Sequence, residues 1–326
     1  MGLPTGKNLP AKASSVKRAL WRKRVRENKF AYMLMVPTII FMLLVHLLPM
    51  IQGFWMSFLK LNQFTLGKYL KAPFVGMDNY VGLLFNSDNP VRQGLNFAIR
   101  NTAIYAVIVT IGVMVMGLMM AMLLNRDFPG RSIARTAMLL PWVVPSYVVG
   151  VLWGFMWQQN GIINYFLVDV LHLYAEKPFW LLGPNTLWAI IIPTIWRGWP
   201  FLMVIFLAGL QTIPEDIYEA ATIDGAGKFR QFWNMTLPML KPVIAVQLLF
   251  QIINNVYSYN IVSTMFGNGA GYPGEWGDLL MTALTRQSFG YWSFGSGSAA
   301  SIMLMFAMLM IVGVWYRAFR TELNAQ

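Results

Sequence analysis

Pro214-Glu215-Asp216-Ile217-Tyr218-Glu219-Ala220-Ala221-Thr222-Ile223-Asp224-Gly225-Ala226-Gly227, followed by Met235-Thr236-Leu237-Pro238-Met239-Leu240-Lys241-Pro242, is a polar island between two long apolar segments. Apolar segments only place a chain in a membrane. A folded polar segment between them offers a grip to something outside the membrane. Pro214 suits a first helical position, and Glu215, Asp216 and Glu219 favour the positive N-terminal end of a helix. Ala220 and Ala221 are small, good helix formers, and Gly225 can take the left-handed conformation that stops a helix. A second short helix is expected from about Lys228 to Leu237, with Pro238 as its limit. Read this way, the island is two short helices and a tight turn, small enough in places for another surface to approach closely. An ordinary tethering connection is the competing reading.

Composition agrees that the flanks are membrane spans. Hydrophobic residues make up 57% of the chain and charged residues 12%, against about a quarter charged in soluble domains. There is no cysteine, so neither a disulfide framework nor a Cys-based metal site is available. Six segments can each cross a ~30 Å hydrocarbon core, which takes ~20 residues: Ala31–Leu59, Thr102–Leu124, Ala134–Trp157, Thr186–Leu210, Val243–Phe266 and Gly297–Tyr316. Apolar on most faces, they are expected to cross as helices. Pro37, Pro49, Pro141, Pro145, Pro193 and Pro200 fall inside them, where neighbouring helices tolerate kinks.

The net charge of +12 would suggest nucleic acid in a soluble protein. Here it sets orientation. Lys7, Lys12, Lys17, Arg18, Arg22, Lys23, Arg24, Arg26 and Lys29 precede the first span. Arg126, Arg131, Arg135, Lys228, Arg230, Lys241, Arg317 and Arg320 fall on the same side of the threading. That side is expected to be cytoplasmic, with both termini on it. Residues 1–30 then form a basic cytoplasmic tail, 31–320 the transmembrane domain with the polar loop at 213–242, and 321–326 a short cytoplasmic tail. The first apolar run is longer than a signal-peptide core and lacks a clear small-residue cleavage site, so a retained span is expected. The basic tail can also lie on anionic headgroups.

Glu219-Ala220-Ala221, three residues, Gly225, nine residues, then Met235-Thr236-Leu237-Pro238 resembles the EAA loop of binding-protein-dependent ABC importer permeases. Met235 stands where that family usually has Ile. Further matches are Phe74-Val75-Gly76-Met77-Asp78-Asn79-Tyr80, Pro141-Trp142 with Pro145, Gly161-Ile162-Ile163-Asn164, and Trp196-Arg197-Gly198-Trp199-Pro200-Phe201 before Ala208-Gly209-Leu210. These look like the carbohydrate-uptake (MalF-like) subfamily. Gly267-Asn268-Gly269-Ala270 departs from its usual Thr-Gly-Gly-Gly-Pro. The resemblance implies an all-α membrane protein of six transmembrane helices, the type I importer permease fold with a MetI-like core. It implies that Glu219, Ala220, Ala221, Asp224, Gly225, Leu237 and Pro238 form a coupling helix and its support, docked in a cleft of an ATPase subunit. It also implies a second permease to make a heterodimer, an ATP-binding subunit dimer and an extracytoplasmic solute-binding protein. The setting would be a bacterial inner membrane, crossed several times, with no nucleic-acid partner.

The chemistry inside the spans is sparse. No Asp or Glu is read within them, and His46 and Arg197 are the ionisable groups set well inside. A proton-driven carrier would usually place carboxylates or histidines there, and no nucleophile–base pair is visible for an intramembrane enzyme. His46 reads as a packed or interfacial residue. No Gly-x-x-x-x-Gly-Lys-Ser/Thr occurs, so no cofactor is expected in this chain: ATP and Mg would be bound by the partner ATPase. Two histidines and no cysteine make a metal site improbable.

What remains is a binding surface. Thr194, Arg197, Gly198 and Phe201 are spaced i, i+3, i+4, i+7 and share one helix face; the same positions resemble those lining the sugar site of the subfamily. Arg197 has three readings: an anionic group on the solute, a carboxylate of the partner permease, or backbone carbonyls at a kink. Asn254, Tyr257 and Ser258 form a second polar patch with Asn255 and Asn260 nearby. Such residues either glue helices together in lipid or recognise sugar hydroxyls, since amides and aromatic rings match hydroxyls and flat apolar faces. The expected function is translocation of a sugar or oligosaccharide, with an acidic sugar included in that expectation. An ABC permease for another solute such as glycerol phosphate, or a secondary carrier, is the alternative.

Overall fold

The computed structural model describes Lys23 and residues 27–86, 90–267 and 272–324. The basic tail apart from Lys23, Glu27, Asn28, Lys29 and Phe30, and the departure at Asn268-Gly269-Ala270, lie outside them. Among the described residues the regular structure is helical apart from a single antiparallel bridge between Leu59 and Phe74. It divides into two units, residues 1–56 and 57–326.

The first unit is one long apolar helix, α1 (Lys29–Met56). Its 28 residues reach about 42 Å at 1.5 Å per residue, more than enough to span. A π-helical turn, Leu43–Leu47, interrupts it just before Leu48-Pro49 and carries His46. Pro49 cannot donate a backbone hydrogen bond; the wider turn places the Leu48 N–H on Leu43 O.

The second unit comprises α2 (Asp78–Phe85), α3 (Pro90–Leu124), α4 (Arg131–Val143), α5 (Ser146–Met156), α6 (Thr186–Leu210), α7 (Glu215–Ile223), α8 (Leu237–Val256), α9 (Asn260–Met265), α10 (Leu280–Thr285) and α11 (Phe294–Asn324). The last helix therefore runs on into the expected C-terminal tail. Helices α3 and α6 make the most extensive pairing. Their core holds Tyr105, Val109, Val113, Leu202, Met203 and Phe206, each nearly inaccessible. A smaller cluster joins Leu83, Leu95, Ala98, Ala283, Leu284, Ala299 and Ala300. Pro193 and Pro200 do not interrupt α6.

Three sequence expectations need correction. The third span is not a kinked rod: α4 and α5 meet at 86°. Pro145 lacks an N–H and disfavours helical geometry in its predecessor, and Val144 is extended at φ −65°, ψ 125°. The fifth span is also broken. Helix α8 ends at Val256, Tyr259 turns out at φ −136°, and α9 restarts at Asn260. The two short halves, α5 and α9, pack on each other. Gly150 is what lets them: a Cβ there would overlap Thr264 Oγ1 and the Ile261 carbonyl. Finally, Pro238 does not end a helix. A π-helical turn, Phe232–Thr236, directs the Leu237 N–H to Phe232 O, and Pro238 sits at the start of α8. The wider turn accommodates the missing N–H, so the helix that begins at Lys228 runs on into α8 without a stop.

Candidate functional site

Thr194, Arg197, Gly198 and Phe201 lie on unbroken helix in α6, as their spacing requires. They line a cavity of about 430 Å³ together with Asn254, Tyr257 and Ser258. All seven residues expected along the passage thus meet in one place, although Ser258 reaches it by another route than a helix face. It belongs to the unwound stretch between α8 and α9, where irregular backbone is tolerated because it borders a cavity.

The cavity floor is a chain of hydroxyls from three spans. Thr194 Oγ1 donates to Ile190 O at 2.9 Å, which occupies its proton, and accepts from Tyr105 Oη at 3.1 Å. Tyr105 Oη has then spent its own proton, so Ser258 Oγ donates to it at 2.9 Å. Tyr105 is fully buried and was not among the sequence candidates; nor was Gln251, which also lines the cavity. The partners of Tyr105 lie 89 and 153 residues away. Nothing local signals it. Replacing Tyr105 with Phe removes one neutral hydrogen-bonding hydroxyl worth ~1 kcal/mol, so the KM for uptake is expected to rise about fivefold with kcat and expression near normal. Transport kinetics in proteoliposomes check this; an unchanged KM would mean the hydroxyl serves packing alone.

The two adjacent asparagines have separate tasks. Asn255 is buried and donates to Thr110 Oγ1 at 3.0 Å, joining α8 to α3. Asn254, one residue and about 100° of helix rotation earlier, is exposed to the cavity. Asn260 donates to Ser146 Oγ at 3.2 Å across the two span breaks. The Trp142 and Phe201 rings stack at 5.3 Å with an interplanar angle of 17°, giving the wall a flat aromatic element. Arg197 donates from Nε to Val144 O at 3.0 Å, the carbonyl freed at the bend of the third span. Of its three readings, the backbone contact is thus present. Among the described residues no carboxylate lines the cavity.

The polar elbow is organised separately. Glu215 and Asp216 occupy the first turn of α7. At its other end Gly225 adopts φ +75°. Gly225 N–H donates to Thr222 O at 3.0 Å and Ala226 N–H to Ala221 O at 2.9 Å, the paired closing bonds of a Schellman motif. Tyr218 Oη and Thr236 Oγ1 lie 3.0 Å apart, and Gln231 Nε2 donates to Ala226 O and Thr222 Oγ1. Glu219, Ala220, Asp224, Gly225 and Pro238 are exposed, Leu237 is half-buried, and Ala221 turns into its own bundle. Ile223 at 86% and Phe229 at 79% exposure are apolar surfaces of the elbow that motif reading passed over. Their signal was an apolar side chain inside a polar island.

Apolar spanning helices around a polar cavity, with an ordered elbow on one loop, define a solute permease. The family described as "Binding-protein-dependent transport system inner membrane component" matches residues 113–323. The chain belongs to that family: it is a multi-pass membrane permease subunit of an ABC transporter, a transport component and not an enzyme. It is 33% identical over 299 residues to the sulfoquinovosyl glycerol transport system permease protein SmoG of Agrobacterium fabrum, covering 91% of this chain and 92% of that one. It is 31% identical to the trehalose/maltose transport system permease protein MalF of Thermococcus litoralis, covering 91% and 96%. In fold it is similar to a chain from a bacterial ABC transporter involved in the import of the acidic polysaccharide alginate, with TM-score 0.73 and 23% identity over 93% of this chain and 99% of that one.

Proposed function

We propose that this subunit carries a sugar or oligosaccharide inward through the cavity between α3, α6 and the broken fifth span. The observation that carries the reading is the cavity wall itself: hydroxyls of Thr194 and Ser258, the Asn254 amide and the Trp142–Phe201 stack face one space. Sugars present many hydroxyls and flat apolar faces, and these groups match both. Sugar-transport relatives of similar length support the same assignment.

In this proposal both termini and the elbow face the cytoplasm of a bacterial cell, and the membrane is the inner one. Residues 31–320 form the permease domain. A second permease completes the passage as a heterodimer, an extracytoplasmic binding protein delivers the solute, and an ATPase dimer holds ATP and Mg. Glu219, Ala220, Ala221, Asp224 and Gly225, supported by Leu237 and Pro238, receive the ATPase stroke. A rigid-body displacement of the elbow moves α7 and, through the continuous helix after Lys228, α8 with it. The test is reconstitution. Proteoliposomes holding all subunits should accumulate oligosaccharide only with ATP, and omission of the ATPase should abolish uptake. Accumulation without the ATPase would instead identify a secondary carrier.

A further inference from the structure

We infer that the transported sugar bears an anionic group, a carboxylate or a sulfonate, and that the Arg197 guanidinium reads it through its two Nη groups. The inference rests on the sugar reading above and adds the charge. An arginine near the centre of a span costs ~2.5–3.5 kcal/mol on insertion scales, so something must compensate it. Among the described residues Arg197 has no ion pair, and its one hydrogen bond leaves from Nε.

That bond sets the direction of the rest. Val144 O belongs to the extended residue at the bend of the third span, a carbonyl with no place in a helical ladder. By fixing Nε at 3.0 Å from it, the fold holds the guanidinium plane. The Nη1 and Nη2 donors have no protein partner among the described residues, and they are not sealed from solvent either. A guanidinium anchored through Nε presents a rigid two-pronged edge that matches a carboxylate or sulfonate. A lysine at the same place would supply the charge without the fork.

The surroundings suit a charged sugar rather than a bare ion. Phe201 is one turn along the same face of α6 and stacks with Trp142. Thr194 and the Ser258–Tyr105 pair line the same cavity. A small inorganic anion would use the fork and leave the aromatic wall and hydroxyl chain without a task. A carboxylate from the second permease is the rival occupant, and it predicts a loss that ignores the charge of the solute.

The experiment uses the complete importer in proteoliposomes and three probes: a glucuronate-bearing oligosaccharide, its carboxyl-reduced neutral counterpart, and a sulfonated hexoside. The wild type should take up one or both anionic probes with a lower KM than the neutral one; the probe preferred tells carboxylate from sulfonate. Arg197→Gln should raise the KM for the anionic probe by roughly 10- to 100-fold while the neutral probe changes less than about threefold. Arg197→Lys, which keeps charge in place should the Gln variant assemble poorly, should raise the anionic KM by about tenfold and spare the neutral probe. Equal loss for charged and neutral probes, or wild-type uptake of the neutral probe alone, overturns the inference and leaves the sugar reading standing. Absence of ATP-dependent uptake of any probe overturns both.

Discussion

Gly225→Asp is expected to leave the subunit folded and inserted while ATP-driven uptake falls on the order of a hundredfold. Gly225 sits at φ +75° in the turn that closes α7. An Asp there is strained by ~1–2 kcal/mol, at the low end because its short side chain can hydrogen-bond locally. Among the described residues, nothing beyond its chain neighbours lies within 4 Å of an added Cβ. The variant therefore meets no internal clash, and its side chain reports on whatever docks against the elbow. Burying an unpaired carboxylate in such an interface costs several kcal/mol, a hundredfold or more in docking. Gly225→Ala adds the backbone strain without the charge and should retain most activity. Uptake and binding-protein-stimulated ATP hydrolysis, measured together, separate the outcomes. Normal uptake by the Asp variant would remove the elbow from the coupling path.

The contrast between Gly225 and Tyr105 shows what could be read from the chain in advance. Gly225 follows an acidic N-terminal turn and two alanines, a local pattern with a local meaning, and the Schellman bonds appear where it pointed. The face Thr194–Arg197–Gly198–Phe201 was legible for the same reason: helical spacing converts directly to direction. The breaks were not. Pro145 marked a possible kink, but an 86° bend depends on how α4 and α5 pack. The stretch Tyr257-Ser258-Tyr259 contains neither Gly nor Pro, and its unwinding is stabilised by the cavity it borders and by Asn260 bonding Ser146. The division of labour between Asn254 and Asn255 depends on helix rotation against α3, which residue type alone does not specify. Long-range tertiary partners decided each of these cases.

The same long-range logic gives the largest expected effect on stability. Asp278 is 1% exposed and pairs with Arg286, whose side chain is 19% exposed. Asp278 Oδ1 accepts from Thr282 Oγ1 at 2.8 Å and from Arg286 Nη1 at 3.1 Å, and Oδ2 accepts from Arg286 Nη2. The Arg286 guanidinium lies 4.2 Å from the centre of the Tyr272 ring. Burial, and then the Asp278 carboxylate, hold that phenol above its usual range, so the ring stays neutral beneath the cation. Asn101 at the head of the apolar stretch of α3 donates to Asp278 O at 3.1 Å and Glu275 O at 2.7 Å. The ion pair therefore ties the segment between α9 and α10 to the end of α10, and Asn101 holds the same segment on α3. Asp278→Ala leaves a mostly buried arginine without its counter-charge, a loss of about 3 kcal/mol, and the unfolding midpoint in detergent should fall on the order of 10 °C. Removing both charges with Asp278→Leu and Arg286→Met should recover most of that fall, because an apolar pair of similar volume avoids the desolvation cost. A double variant less stable than the single one would mean that the clamp acts through its shape and its bond to Thr282, not through charge neutralisation.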